Sequence, residues 1–237
     1  MPAKIDRERY FRELSYLELS ALHAGPLKPS ALAKWAELAP ADTVGLVAPF
    51  PLTHRKPPSS TKLWEHDASS GDFRASDLGR KTLAPLREAV DALSAACVVF
   101  RSSETFSPSA ANRDELRRFF GELATEVAIG TERVWVPGGL WDVRTAVKLA
   151  GELGVTCAID PLVREPGVDD DPFTELEADK LYFRVEGAGR ARAIRNEQLE
   201  DLAALIELYE DHPLTIAFAS PERWQDARNL KKLLDEA

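Results

Sequence analysis

Two periodicities alternate along the chain. Short stretches that are apolar throughout, or apolar at every second position, separate longer stretches whose apolar residues return every three or four positions. The first pattern reads as strands and the second as amphipathic helices. Strands are predicted at Tyr16–Ser20, Val44–Ala48, Cys97–Arg101, Val134–Val136, Val155–Asp160, Leu181–Glu186 and Leu214–Ala219. Helices are predicted over 5–13 with Asp6 as cap, 28–38 capped at Ser30 or its neighbours, 77–95, 112–127, 143–153, 197–210 and 221–234. Asn112 with Glu115 reads as a capping box, and Asn196 as an N-cap. Strict strand–helix alternation implies a parallel sheet flanked by helices. Seven such units favour a closed barrel over an open doubly wound sheet, and the Gly-x-Gly-x-x-Gly turn of a dinucleotide-binding sheet is absent after the first strand. The expectation is an α/β chain forming one TIM-type β/α barrel domain over residues 1–237.

Residues 49–76 break the pattern. They hold Pro49, Pro51, Pro57 and Pro58 and a Ser/Gly/Asp-rich tail without periodicity. A loop that long reads as a lid, a binding loop or a mobile insert. The acidic run Asp169–Asp171 reads as solvated.

Parity along each strand sorts inside from outside, and a barrel carries its working residues at the C-terminal strand ends. Leu17 and Leu19 are predicted to face helices, with Glu18 and Ser20 inside. Arg101 falls inside, as do Thr156, Ala158 and Asp160, then Tyr182, Arg184 and Glu186; Trp135 is predicted inward near the mouth. The mouth therefore gathers Glu18, Arg101, Asp160, Arg184 and Glu186. Three acids and two arginines at one rim suit a polar substrate with a carboxylate as general acid or base; equally, they suit a self-satisfied ion-pair network. The loop holding Gly187, Gly189, Arg190, Arg192 and Arg195 reads as an anion cradle at the usual phosphate corner of a barrel. His23 and His54 follow the first two strands and can reach the mouth, whereas His66 lies in the long loop and His212 at the opposite rim. A metal site from His23, His54, Glu18 and Asp160 has no supporting ligand spacing, so neither a metal nor a cofactor is assigned. No nucleophile-elbow motif backs a Ser-His-Asp triad.

Composition narrows the field. The chain is 44% hydrophobic and 29% charged, as globular proteins are. Its net charge of −9 argues against a broad grip on nucleic acid. No apolar run approaches the roughly 18 residues of a membrane span, and the N-terminus has no apolar signal core. Cys97 and Cys157 sit in apolar runs and read as small core residues of a reducing compartment, hence a cytoplasmic protein.

Taken in order, these segments resemble the YecE-like family (domain of unknown function 72), a barrel family. Its Glu-Ile-Asn-Ser-Thr-Phe-Tyr strand is similar to Glu18–Ala24, with Trp35 at the matching distance. Its Val-Lys-Ala-Pro and Ile-Thr-His resemble Leu46–Pro49 and Leu52–His54. Its Phe-Gln-Leu-Pro-Pro-Ser-Phe resembles Phe100–Phe106, its Glu-Phe-Arg-His-x-Ser-Trp resembles Trp135–Trp141, and its Tyr-x-Arg-x-His-Gly-Arg-Gly resembles Tyr182–Gly189. Glu18, His54, Asp160, Arg184 and the loop glycines stand as that pattern has them. Val47 replaces its lysine, Arg101 its glutamine, Glu186 a histidine, and Phe218–Ser220 stands for its Phe-Asn-Asn. The family's opening Gly-Thr-Ser-Gly-Trp strand has no counterpart. The resemblance implies an incomplete barrel of about seven strands, with the first missing. The gap would be covered by residues 1–15, a second copy or a partner chain, because unpaired strand edges are costly when buried and adhesive when exposed.

Two functions follow. One is a divergent, non-catalytic barrel acting through partner or ligand binding. The other is an enzyme acting on a small anionic, phosphorylated or polyhydroxylated substrate at the mouth, with Glu18, His54, Asp160, Arg184 and Glu186 as catalytic residues and Arg101, Gly187, Gly189 and Arg190 as ligand-binding ones. The expected partners are a small anionic ligand and a homo-oligomer or partner chain at the open edge, with no nucleic acid and no membrane.

Overall fold

A computed structural model describes residues 6–163, 173, 176, 178–187 and 193–236. Its strands are β1 (Leu17–Leu19), β2 (Val44–Val47), β3 (Cys97–Arg101), β4 (Glu132–Val136), β5 (Thr156–Ile159), β6 (Leu181–Val185) and β7 (Leu214–Phe218). They lie side by side in chain order, every neighbouring pair parallel, around a nearly closed barrel. The helices are α1 (Arg7–Glu13), α2 (Ala21–Ala24), α3 (Pro29–Ala36), α4 (Phe50–Thr53), α5 (Asp77–Leu93), α6 (Ala110–Arg118), α7 (Glu126–Ile129), α8 (Val143–Glu152), α9 (Asn196–Glu207) and α10 (Arg223–Glu236). None of the described helices is long and apolar enough to cross a membrane.

The pleat divides the core into two layers. Cys97, Val99, Val134, Ala158, Tyr182 and Ala217 form the barrel interior, with Tyr16 and Val136 packed against them. The alternate residues, among them Leu17, Leu19, Leu46, Val98, Phe100, Cys157, Ile159, Phe183 and Val185, join the larger core beneath the helices. Trp135 belongs to that outer layer, contrary to the inward placement expected from sequence. The register seats Val134 opposite Val99 and Thr156, which turns Trp135 outward against Trp141 at 4.9 Å. Gly45 has a steric reason. A Cβ there would lie 1.8 Å from the Tyr16 hydroxyl, so only glycine lets that ring fill the barrel.

Asp6 caps α1 as predicted, accepting from the Arg9 N–H at 2.8 Å, but two other predicted caps are displaced. Ser109, not Asn112, caps α6, its hydroxyl accepting from the Asn112 N–H at 3.2 Å. Arg195 rather than Asn196 is the N-cap of α9, with Gln198 at the third helical position accepting from the Arg195 N–H. The single helix expected over 112–127 is instead α6, a wide π-type turn at Phe119–Leu123, and α7, which Thr125 caps. The wide turn aims two consecutive rings inward, Phe119 and Phe120 both meeting Phe100, at 5.5 and 5.4 Å. Buried Arg133 then donates to the carbonyls of Phe120 and Ala124 that the turn leaves over.

The long loop is tied to the frame. The Trp64 indole N–H donates to the Leu22 carbonyl at 2.7 Å and the Trp64 amide to Ala24 at 3.1 Å. Gly71, at φ 82°, donates to Pro51, and Phe73 is fully buried.

β1 and β7 end the sheet and do not pair. The resulting seam contains a cleft of about 800 Å³ bounded by both strand edges and by α1 and α10. The two helices close over it from outside. Tyr10 packs on Trp224 at 5.4 Å, Arg228 pairs with Glu13 at 2.8 Å, and the Tyr10 hydroxyl donates to the Tyr16 carbonyl at 2.8 Å. The segment 1–15 thus contributes α1 to the cover expected over an open edge, and α10 supplies the rest.

Candidate active site at the barrel mouth

Parity brings four of the predicted mouth residues into one chain of contacts. Glu18 points inward from β1 because Leu17 and Leu19 take the helix-facing positions. Arg184 points inward from β6, its side chain only 7% exposed, and its Nε donates to both Glu18 oxygens, at 3.0 and 3.2 Å. One Arg184 amino group donates to Glu186. The Glu186 backbone N–H donates to Asp160 at 2.8 Å, and the Leu162 N–H donates to the other Asp160 oxygen at 3.0 Å. Burial raises the Asp160 carboxyl above its usual range, against the N–H groups of Leu162 and Gly187 and the nearby Arg184 charge. Gly187 takes φ 78°, a left-handed turn that side chains rarely adopt. Gly189, Arg190 and Arg192 lie outside the described residues, so of the expected anion cradle the structure describes Gly187 and Arg195.

Below this network two tyrosines that sequence reasoning did not assign to the site support it. The Tyr182 hydroxyl donates to Glu18 at 2.7 Å and lies 2.9 Å from the Tyr16 hydroxyl, which is 3.2 Å from the Cys97 sulfur. Burial pushes both phenols well up and the Cys97 thiol up to about 12, so all three are neutral and unreactive. The signal was present: Tyr182 shares the inward parity of Arg184, and Gly45 marks a large group opposite it.

Arg101 sits elsewhere on the rim, beside a pair of histidines. His23 and His54 meet edge to face at 5.1 Å, and His23 also meets Phe50, against which His66 packs. His23 Nδ1 lies 2.7 Å from the Ala48 carbonyl, so that nitrogen carries the proton and Nε2 is an acceptor. His54 Nδ1 is 2.7 Å from the Thr53 hydroxyl. Burial lowers both imidazoles, with the Arg101 charge adding to it, and His54 falls to about 4. Both rings are therefore neutral near pH 7. Val47, in the position where the family pattern has lysine, is buried and brings no charge to the rim. Among the described residues no group of three or more His, Cys, Asp or Glu is arranged to hold a metal ion.

The rim therefore has two halves. One holds a buried arginine between two glutamates, with Asp160 tied to backbone N–H groups. The other offers neutral imidazoles beside an arginine.

No protein-family model matches the chain, and neither does any curated protein. Solved structures do match in fold. A DUF72 family protein of Enterococcus faecalis V583 superposes with a TM-score of 0.66 at 13% identity, over 97% of this chain and 93% of its own. A DUF72 family protein of Thermotoga maritima MSB8 gives 0.66 at 14%, over 99% and 92%. A xylose isomerase domain-containing protein of Salmonella typhimurium LT2 gives 0.54 at 14%, over 97% and 90%.

Proposed function

We propose that this chain, which shares its fold with the DUF72 proteins and resembles the YecE-like pattern in sequence, is a divergent, non-catalytic barrel that acts by binding a partner. The observation that carries this reading is the Glu18–Arg184–Glu186 clamp. The arginine expected to meet a substrate is almost fully buried and turns its Nε and one amino group to two carboxylates of its own chain. Glu186, where the family pattern has histidine, leaves that corner with more negative than positive charge, which opposes an anionic ligand. The pocket chemistry of the family pattern has become internal bracing.

Bracing and catalysis separate by mutation. Arg184→Met leaves two largely buried carboxylates without their common partner and is expected to cost about 3–5 kcal/mol in urea unfolding, whereas replacing Glu18, Arg184 and Glu186 together by Leu, Met and Leu is expected to be nearly neutral. A panel of phosphorylated sugars and polyols is expected to give no turnover. Turnover that disappears in Arg184→Lys while stability is unchanged would overturn the reading.

A second reading has its own observation. Asp160 is raised and His54 lowered at the same rim, the displacement that acid–base pairs show. It supports an enzyme acting on a small polar or anionic substrate beside Arg101, His23 and His54. Turnover abolished by His54→Gln and spared by Arg184→Met would favour it over the first.

A further inference from the structure

We propose that the β1–β7 seam is an acceptor site for one extended strand of a partner protein, apolar in its middle and acidic at both ends, running parallel to β1. The proposal rests on the partner-binding reading above and names its surface and the partner's chemistry.

Backbone polarity carries the argument. In a parallel sheet, the N–H and C=O of one residue point to the same side, and alternate residues point to opposite sides. The Leu17 N–H bonds to the carbonyl of Thr43, the residue leading into β2, so Glu18 directs its backbone groups away from β2, into the seam. The Ala219 N–H bonds to Val185 and the Leu181 N–H to Pro213, so Thr215 and Ala217 face β6 while Ile216 and Phe218 face the seam. Among the described residues, no backbone bond reaches the seam-facing groups of Glu18, Ile216 or Phe218. The two edges are also complementary in parity. β7 offers the groups of residues whose side chains point out, and β1 those of residues whose side chains point in. One inserted parallel strand satisfies both, its inward residues bonding to β7 and its outward residues to β1. An antiparallel strand would meet the same two edges with the parity exchanged, so the direction is set by chain order, whereas a helix, whose backbone groups bond within it, matches neither edge.

Chain order points to the same occupant. Among the described residues β2, β3, β4, β5 and β7 each follow a strand and at least one helix, whereas β1 follows α1 with no described strand before it. A right-handed crossover through α1 would begin from a strand lying in the seam. The cleft of about 800 Å³ suits a strand of about five residues, roughly 17 Å long. Its inner wall is filled by Tyr16, so inward residues of the guest must be small. Its outer wall is Tyr10, Trp224 and Leu230, so outward residues should be apolar.

Charge sets the ends. Arg12, at the last turn of α1, stands at the N-terminal end of the strands, and Arg223, at the start of α10, stands at the mouth end. Both line the cleft, and neither makes an ion pair among the described residues. A guest flanked by Asp or Glu pairs with both.

The test uses the full chain and the heptapeptide acetyl-Asp-Val-Ala-Val-Ala-Val-Asp-amide, with titration calorimetry and amide hydrogen exchange. Expected is one site, with the Ile216 and Phe218 amides exchanging at least tenfold more slowly and those of Thr215 and Ala217 unchanged. Ile216→Pro removes a seam donor but no bond to β6, so it should weaken binding at least fivefold at constant Tm. N-methylation of the two alanine amides should abolish binding, a result independent of how any protein variant folds. No binding up to about 1 mM, or peptide-insensitive dimerisation that protects the same amides, would overturn the proposal. Protection confined to the mouth would overturn the seam and leave partner binding standing. Failure to bind together with turnover of the polyol panel would remove both readings.

Discussion

Arg184 shows how far a single residue's role depends on what faces it. Its inward direction follows from alternation with Leu181, Phe183 and Val185, and was legible in the sequence. Its partner was not, because Glu18 lies 166 positions away and only closure of the barrel brings the two within 3.0 Å. The same holds for His54. A lone histidine after Thr53 reads as a rim residue; its neutrality comes from burial, His23 and Arg101. That neutrality has a pH signature. The folded state holds His54 near 4, below the ordinary 6.5, so the unfolded chain binds the extra proton first. Stability from this group is complete above about pH 6.5 and is lost as pH falls toward 4, by about 2–3 kcal/mol. Asp160, whose carboxyl is raised, has the opposite sign over the acid range above 3.8. Urea unfolding at pH 7 and at pH 4.5 should therefore show a smaller acid loss in His54→Gln than in the native chain. Equal losses would place the titration elsewhere.

At the scale of the element, the strands were the most legible and the helix breaks the least. Cys97–Arg101 was predicted as observed, and the other strands lie within their predicted bounds or extend one or two residues beyond them. A strand's pattern repeats every two residues and is short enough to survive tertiary context. The π-type turn at Phe119–Leu123 left no such trace, because it answers to Phe73 and Phe100 packing from elsewhere in the chain. Residues 49–76 read as a lid, a binding loop or an insert; the structure places α4 at their start and ties the rest down through Trp64, Gly71 and Phe73. Trp64→Phe replaces the indole by a smaller aromatic ring and leaves the buried Leu22 carbonyl unpaired. It should cost about 1–3 kcal/mol and speed cleavage within the loop under limited proteolysis. Unchanged stability and cleavage would mean that the indole N–H does not anchor it.

For the whole molecule, the deciding feature is a seven-stranded barrel with an unsealed seam. Ion pairs, phenol hydroxyls and two helices do the work that backbone ladder bonds do elsewhere in the sheet. Inside, Tyr16, Tyr182, Glu18 and Arg184 tie β1 to β6 across the interior. Outside, Tyr10 meets Trp224 and caps the Tyr16 carbonyl. Tyr10→Ala removes a buried ring from that cover and a donor from the edge, and is expected to destabilise by about 3–5 kcal/mol. A loss below about 1 kcal/mol, on the scale of an exposed site, would show that α1 does not hold the seam.

The sequence by itself determined the alternation of strands and helices, the inward set at Glu18, Asp160, Arg184 and Glu186, and the resemblance to a barrel family. These are local properties, set by side-chain periodicity and by residue types at short spacing. Tertiary structure alone decided that Trp135 turns outward, that Arg184 is clamped between Glu18 and Glu186, and that α1 and α10 cover the open edge. Those outcomes depend on register and on which distant residues the closing sheet brings together, and no short window of sequence carries that information.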